Sequence, residues 1–425
     1  MPKKKVLIIT ERFQPINRIS SVRACKLAKY LARCGSEVTV LCPPVPYMEQ
    51  NNQLNARYFD PEKEGVRIVH FPEEILPYYY NAIGLYEMPE VKKIVSSDGF
   101  SYFRRMMAFL YMHKQVRLCK KSVRRLLAEE TYDDVVVSYA PHSAVWLGLY
   151  AKKISPRLKL VVDFRDPVSG TKPGRYKAHL EHKYLKNADA VTTVSQGVKD
   201  LFCSRYPDIP PEKIHVITNG YDPDDAAVVS SASAPPDDGR IHLVYTGAVY
   251  NGKRRLEPLL EVFSQWKREK NPLLSQFVFD YAGGESDYVN RLFSQYGLSD
   301  MLVDHAYLSR PETLTLQRNA GLLLLLSWNT PASQGILTGK FYEYLLAEKP
   351  ILALVSGSVP NSELKGLIDK NGLGFAWEEG AQGEQAVSPI AAFLTDAAAG
   401  RIRLSGRQTQ PFQYPYLAQK MQELL

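Results

Sequence analysis

Residues 321–356 contain GLLLLLS (321–327), SQGILTGKFYEYLLA (333–347) and PILALVS (350–356). Two short apolar runs flank a helical stretch, which ends at Glu348-Lys349-Pro350. This strand–helix–strand order implies parallel strands joined by a crossover helix. Upstream, IHLVYTG (241–247) reads as a strand into a turn, followed by a helix over about 256–268 and strands at FVFDYAGG (277–284) and MLVDHAY (301–307). The same alternation fills the first half: KVLIIT (5–10), a helix from about Ser20 to Arg33, then EVTVLC (37–42), VRIVH (66–70), DVVVSY (134–139), LKLVVDF (158–164), AVTTVS (190–195) and IHVITNG (214–220). A basic helix over roughly 103–129 and shorter ones near 142–153 and 196–205 lie between them.

The segment PDDAAVVSSASAPPDDGR (223–240) has the composition of a linker. The expected organisation is α/β throughout: a domain over 1–222, a linker over 223–240, a second domain over 241–407, and a helical tail over 408–425. No repeat of 20–50 residues is evident; a whole domain recurs. Two such domains imply a ligand cleft at the carboxyl ends of their strands.

At 425 residues the chain has ample length for two cores, and 23% charged with 11% aromatic residues describes a globular protein. Five cysteines (Cys25, Cys34, Cys42, Cys119, Cys203) with no CxxC pair argue against a disulfide framework or a zinc site and for a reducing cytoplasm. The apolar run Val6–Ile9 is too short for a signal peptide, and no 18-residue apolar stretch exists. The expectation is a cytoplasmic protein.

Charge is uneven. Residues 1–200 carry 33 basic and 20 acidic side chains, and residues 201–425 carry 20 and 25. A basic half points to an anionic partner or to a solvated face. With no nucleic-acid-binding signature present, an anionic membrane surface is the favoured partner and nucleic acid is not expected.

The loops at the strand ends carry the candidate chemistry. The turn Thr10–Ser21 has no glycine, so the dinucleotide fingerprint GxGxxG is absent. Ser20 or Ser21 is placed to cap the next helix, and Arg12, Arg18 and Arg23 add charge to the same rim. Asp163-Phe164-Arg165-Asp166-Pro167 puts three charges at a strand end, either as an internal ion pair or as a polar site, and the site reading is favoured. His142, after the preceding strand, is either a helix-start residue or part of that site.

In the second half, Gly247 followed by Lys253-Arg254-Arg255 suits a diphosphate, or is a charged run before a helix. In SQGILTGKFYEYLLA, Gly335 and Gly339 permit a loop whose N–H groups face phosphates at a helix N-terminus. Glu343 lies one turn inside that helix, where its carboxylate could accept ribose hydroxyls. Lys340 shares its face, so an ordinary Lys–Glu helix pair is the alternative.

With these motifs in order, the chain resembles the retaining GT-B glycosyltransferases of the family 4 type, over nearly its full length. The resemblance rests on KVLIIT…LAKYLARCGSEVTVL, VVDFRDP, ADAVTTVSQGVKDLF and VITNGYD, then on YTGAVYNGKRR, DYAGG and LTGKFYEYLLAEKPILAL. The last is especially similar to the branch found in bacterial surface-polysaccharide pathways. The resemblance implies two Rossmann-like, doubly wound parallel-sheet domains facing a cleft, with the acceptor on the first and a nucleotide-sugar donor on the second. It also implies a C-terminal helix returning to the first domain, and neither cofactor nor metal. Carried over by residue, Glu343 binds the donor ribose and the backbone of Leu337, Thr338 and Gly339 holds the pyrophosphate. Arg254, or its neighbours Lys253 and Arg255, meets the diphosphate. Arg165 and Asp166 orient sugar or acceptor, with His142 a further candidate.

The chain also departs from the family pattern. Gly335 stands where the first glutamate of EX7E is usual, Ala248 where a second cation is usual, and Ser20-Ser21 where a glycine pair is usual. The family histidine aligns with Arg165 or Asp166. The resulting expectation is transfer of a sugar to an acceptor hydroxyl with retention, in polysaccharide, lipopolysaccharide or glycolipid synthesis. Alternatives are an inactive homologue serving as partner subunit, a sugar-nucleotide epimerase of the same fold, or a nucleic-acid-modifying transferase. The aromatics of Leu76–Tyr80, Tyr86 and Phe103–Tyr111, followed by Lys114, Arg117, Lys120, Lys121, Arg124 and Arg125, suit either an interfacial surface near a lipid-linked acceptor or an amphipathic helix packed on the first domain.

Overall fold

In the computed structural model the apolar runs form two parallel sheets. The structure describes residues 3–50, 54–75, 101–139, 142–168, 174–226, 238–331, 333–381, 387–404 and 407–425, with only the backbone at 101–109 and 111. The first sheet holds β1 (Lys5–Ile9), β2 (Glu37–Cys42), β3 (Arg67–His70), β4 (Asp134–Tyr139), β5 (Lys159–Phe164), β6 (Ala190–Thr193) and β7 (Ile214–Val216), in the order β3-β2-β1-β4-β5-β6-β7. Its helices are α1 (Ile19–Arg33), α2 (Ser101–Glu129), α3 (His142–Ile154), α4 (Arg175–Asn187) and α5 (Gln196–Arg205).

The second sheet holds β8 (Ile241–Thr246), β9 (Phe277–Ala282), β10 (Leu302–Asp304), β11 (Leu322–Trp328), β12 (Ile351–Ser356) and β13 (Gly374–Glu378), in the order β10-β9-β8-β11-β12-β13. Its helices are α6 (Glu257–Arg268), α7 (Ser286–Gln295), α8 (Arg310–Asn319), α9 (Gly339–Ala347), α10 (Glu363–Lys370) and α11 (Ser388–Ala398). Strand order reverses between β1 and β4 in one sheet and between β8 and β11 in the other. Ligands of open parallel sheets sit outside the carboxyl ends of the strands at such points.

The chain divides into a unit of Met1–Val194, Lys199–Thr218 and Tyr414–Leu425, and a unit of Ser195–Val198 and Asn219–Gln413. The sequence reading placed these divisions at 222 and 408; most of the linker, 227–237, lies outside the described residues. The last helix, α12 (Tyr414–Leu424), belongs to the first unit and packs on α1. Tyr414, Leu417, Ala418 and Met421 form its buried stripe at helical spacing, and each large apolar side chain there contributes about 1.5–3 kcal/mol.

Several expectations need correction. Ser20 and Ser21 do not cap α1: Arg18 holds the cap position without a side-chain hydrogen bond, and both serines are buried in the first turn. Arg23 is no part of a rim, since it is fully buried. The runs AVTTVS, IHVITNG, FVFDYAGG and MLVDHAY stop as strands at Thr193, Val216, Ala282 and Asp304, where the chain turns toward the strand-end loops. β13 was not expected, because GFAWE opens on a glycine and mixes polar with apolar residues, yet it pairs with β12 over five positions.

The basic helix α2 buries Val116, Cys119, Val123 and Leu126 at helical spacing and packs on α3, while Lys114, Arg117, Lys121, Arg124 and Arg125 are exposed. Residues 76–100, including Leu76–Tyr80 and Tyr86, and the side chains of 103–109 and 111 lie outside the described residues. Among the described residues no helix is long and apolar enough to cross a membrane.

Candidate functional site

The richest cluster stands at the carboxyl ends of β8 and β11. β8 is followed by Gly247, whose φ of +129° is one that L side chains rarely adopt, and the Lys340 side chain lies against its open face. Lys340 is the second residue of α9. That helix is fixed by Phe341, Tyr342, Tyr344 and Leu345, all buried, with Phe341 and Tyr342 against Phe412. The Tyr344 hydroxyl also donates to the Leu324 carbonyl at 3.0 Å. Burial of these residues leaves Lys340 and Glu343 on the remaining face.

Glu343 accepts from Lys340 Nζ at 2.7 Å, from Arg310 at 3.2 Å and from Gln317 Nε2 at 3.2 Å. Gln317 also donates to Thr246 Oγ1 at 2.8 Å, and Arg310 pairs with Asp225 at 3.1 Å. Burial pushes the Glu343 carboxyl up, but the charges of Lys340 and Arg310, with the Lys340 and Gln317 hydrogen bonds, outweigh it and hold the pKa at about 2. Glu343 is therefore an anion at every ordinary pH. It is not sealed: its side chain is 17% exposed and that of Lys340 25%.

Of the three cations after Gly247, one faces the turn. Arg254 donates to the Ala248 carbonyl at 3.0 Å, and its guanidinium lies 4.8 Å from the Tyr250 ring and 5.6 Å from that of Trp328. Arg255 instead pairs with Glu379 and Glu257, and Lys253 is exposed. Three buried polar atoms of the cluster, Arg254 Nε, Thr338 Oγ1 and Gln317 Oε1, have no hydrogen-bond partner among the described residues. Native folds rarely leave such atoms unmatched unless a ligand or water meets them. Thr338 occupies the N-cap of α9 without capping it, and Leu337 is buried just before it. The cluster thus offers cations, a helix N-terminus and two waiting donors, a set suited to an anion.

Gly335, at φ +68°, has no room for a side chain: a Cβ there would come within 2.8 Å of the Gly197 Cα and 3.3 Å of Glu363 Oε2, all within the second unit.

In the first unit, the structure gathers His142, Arg165 and Asp166 around Tyr139. Arg165 Nε donates to the Tyr139 carbonyl at 3.0 Å, and the His142 ring lies 5.4 Å from the Tyr139 ring. His142 Nδ1 meets the Tyr184 hydroxyl at 3.0 Å, and burial, then the Lys177 charge, lowers its pKa. Burial brings Arg165 down to about 10, against the pull of Asp163 and Asp166. Asp166 is exposed.

Asp163 itself is an internal ion-pair partner, which corrects its reading as a site residue. It accepts from Arg23 at 2.9 and 2.7 Å and from Thr192 at 2.6 Å, wholly out of solvent. Arg23 lies 140 residues away in sequence, so no local pattern could announce the pair. Glu11, just past β1, was given no role. It is 1% exposed, and burial raises its carboxyl to about 6 against Ser143, Gln115 and Arg12. Gln317, Arg310 and Glu285 were likewise missed, since each acts through a fold contact and not through a motif.

Among the described residues no three His, Cys, Asp or Glu side chains gather as metal ligands would.

The family model of Glycosyltransferase Family 4 matches residues 20–225. Over that stretch, a little less than half of the chain, the protein is similar to that family. No curated protein matches it in sequence. The chain is similar in fold to the lipopolysaccharide outer core galactosyltransferase WaaB, at 12% identity and a TM-score of 0.59, covering 99% of this chain and 98% of that one. It is similar to the sucrose-phosphate synthase of Thermosynechococcus elongatus at 15% identity and a TM-score of 0.62, with the same coverage. It is also similar to an E. coli trehalose-6-phosphate protein bound with UDP-2-fluoro glucose, at 12% identity and a TM-score of 0.59, over 98% of this chain and 96% of that one. At such identities these likenesses concern the fold.

Proposed function

We propose that this chain is a glycosyltransferase that moves a sugar from a nucleoside-diphosphate-sugar to an acceptor hydroxyl with retention of configuration, in the synthesis of a bacterial polysaccharide, lipopolysaccharide or glycolipid. The second unit takes the donor. Glu343 accepts the ribose hydroxyls, while Arg254, Lys340 and the amides of Leu337, Thr338 and Gly339 receive the diphosphate, with no metal required. The observation that carries this reading is the α9 start, where Lys340 and Glu343 stand open beside the unmatched Arg254 Nε and Thr338 Oγ1.

Retention without a protein nucleophile follows a front-face course. The bond from the anomeric carbon to the diphosphate oxygen breaks, the acceptor oxygen bonds on the same face, and the acceptor proton passes to the leaving diphosphate. Arg254, Lys340 and the helix-start amides stabilise the charge that grows on that diphosphate. The first unit takes the acceptor near His142, Arg165 and Asp166. The exposed cations of α2 support a peripheral position on the anionic inner face of the cell membrane, which suits a lipid-linked acceptor.

The test is thermal shift with UDP, GDP, dTDP, ADP and CDP, with Glu343→Ala as control. A ligand at a hundredfold its dissociation constant adds about 2.7 kcal/mol. One base should stabilise the wild type and act far less on the variant. If none of the five shifts the melt, the donor assignment fails.

A further inference from the structure

The loop that carries Arg254 is held in an unusual backbone by one carboxylate. Glu285 lies between β9 and α7. Its Oε2 accepts from the N–H of Val249 at 2.7 Å and of Tyr250 at 3.0 Å, and its Oε1 from Asn251 N–H at 2.8 Å. Three successive amides converging on one anion form a filled nest, and hydrogen bonds to an ionised acceptor are the strong kind. They restrain a costly conformation, since Tyr250 (φ +51°) and Asn251 (φ +50°) both occupy the left-handed region.

Glu285 is anchored in turn: its own N–H donates to the Tyr281 hydroxyl at 3.1 Å. The Tyr245 hydroxyl, whose ring stacks on Tyr281, donates to the Ala248 carbonyl at 2.7 Å. The same carbonyl accepts from Arg254. Because φ at Tyr250 aims its ring, the nest also decides where that ring meets the guanidinium, 4.8 Å away.

We propose that Glu285 is a positioning residue: by holding amides 249–251 it presets Arg254, with Nε open, for the donor diphosphate. This rests on the donor-site reading above. Glu285 itself touches no ligand and acts only through Arg254. Its removal lets Tyr250 and Asn251 relax, and the guanidinium loses the carbonyl and ring that aim it.

The test uses the full chain and calorimetric titration with UDP and UMP, or the same pair of whichever base the five-nucleotide panel selects. Glu285→Gln keeps the size of the side chain and Glu285→Ala removes it, so the proposal can be examined even if one of them does not fold. Diphosphate affinity should fall at least about tenfold while monophosphate affinity changes less than about twofold. In an Arg254→Met background, Glu285→Gln should cost no further diphosphate affinity, because the two act as a unit. Equal losses for UDP and UMP would make Glu285 a general loop fastener and overturn the proposal, as would unchanged UDP affinity. Additive losses in the double variant overturn it too. A wild type that binds no diphosphate removes the donor-site reading, and this proposal with it.

Discussion

Two ion pairs, one in each unit, differ in what surrounds them. Arg23 and Asp163 are 0% and 2% exposed at their side chains, and the remaining capacity of the pair is met by Thr192 and the carbonyls of Ile217 and Thr218. Lys340 and Glu343 make an equally short contact, yet they stay in part open and stand beside polar atoms without partners. The sealed pair joins elements of the scaffold. The open one holds an anion whose hydrogen-bonding capacity a ligand can take over. Charges at a strand end therefore do not by themselves mark a site; what separates the two pairs is how far each is open to a ligand.

The largest effect tests the sealed pair. Arg23→Met leaves Asp163 buried without its cation, and removing one member of a buried pair costs about 3–5 kcal/mol. Urea unfolding should show that loss, and surviving folded protein should bind diphosphate as the wild type does. Selective loss of diphosphate affinity at unchanged stability would erase the distinction between the pairs.

Lys340→Met should do the reverse. Losing a charge-assisted contact costs about 1.5–3 kcal/mol of diphosphate binding, at least about tenfold, in titration calorimetry. It should also raise the Glu343 carboxyl, whose depression depends on that cation.

A third comparison sets Glu343 against Glu11, two carboxylates displaced from about 4.5 in opposite directions. Glu343, depressed to about 2, contributes stability that is present above pH 4.5 and lost as pH falls toward 2. Glu11, raised to about 6, keeps its proton in the folded state longer than in the unfolded one. It therefore lowers stability as pH rises from about 4.5 to 6, by about 1–2 kcal/mol. Urea unfolding across pH 3–7 should show that second slope vanish in Glu11→Gln while the acid limb persists.

The smallest effect belongs to Lys253, which is exposed. Lys253→Ala should change stability by less than about 0.5 kcal/mol and diphosphate affinity by less than about threefold. A loss as large as that of Lys340→Met would shift the diphosphate role along the loop.

What could be read beforehand depended on how local the cause was. The apolar runs of β1, β4, β8, β11 and β12 are continuous, so both parallel sheets and the α9 crossover were legible from spacing alone. LTGKFYEYLL placed Lys340 and Glu343 together because they lie on one helix turn. The Arg23–Asp163 pair, the Glu285 nest and the Arg310 and Gln317 contacts to Glu343 were not legible, since each joins segments 25 or more residues apart. Glu11 escaped because its character comes from burial behind Ser143 and Gln115, contributed by other helices. β13 escaped because its apolar run, Phe375-Ala376-Trp377, is only three residues long.

The most direct measurement is a crystal structure of the protein with UDP, or with the diphosphate the panel selects. The account predicts the phosphates against Arg254 Nε, Thr338 Oγ1 and the first amides of α9, with the ribose hydroxyls on Glu343. A diphosphate bound elsewhere, with Glu343 still held only by Lys340, Arg310 and Gln317, would contradict it.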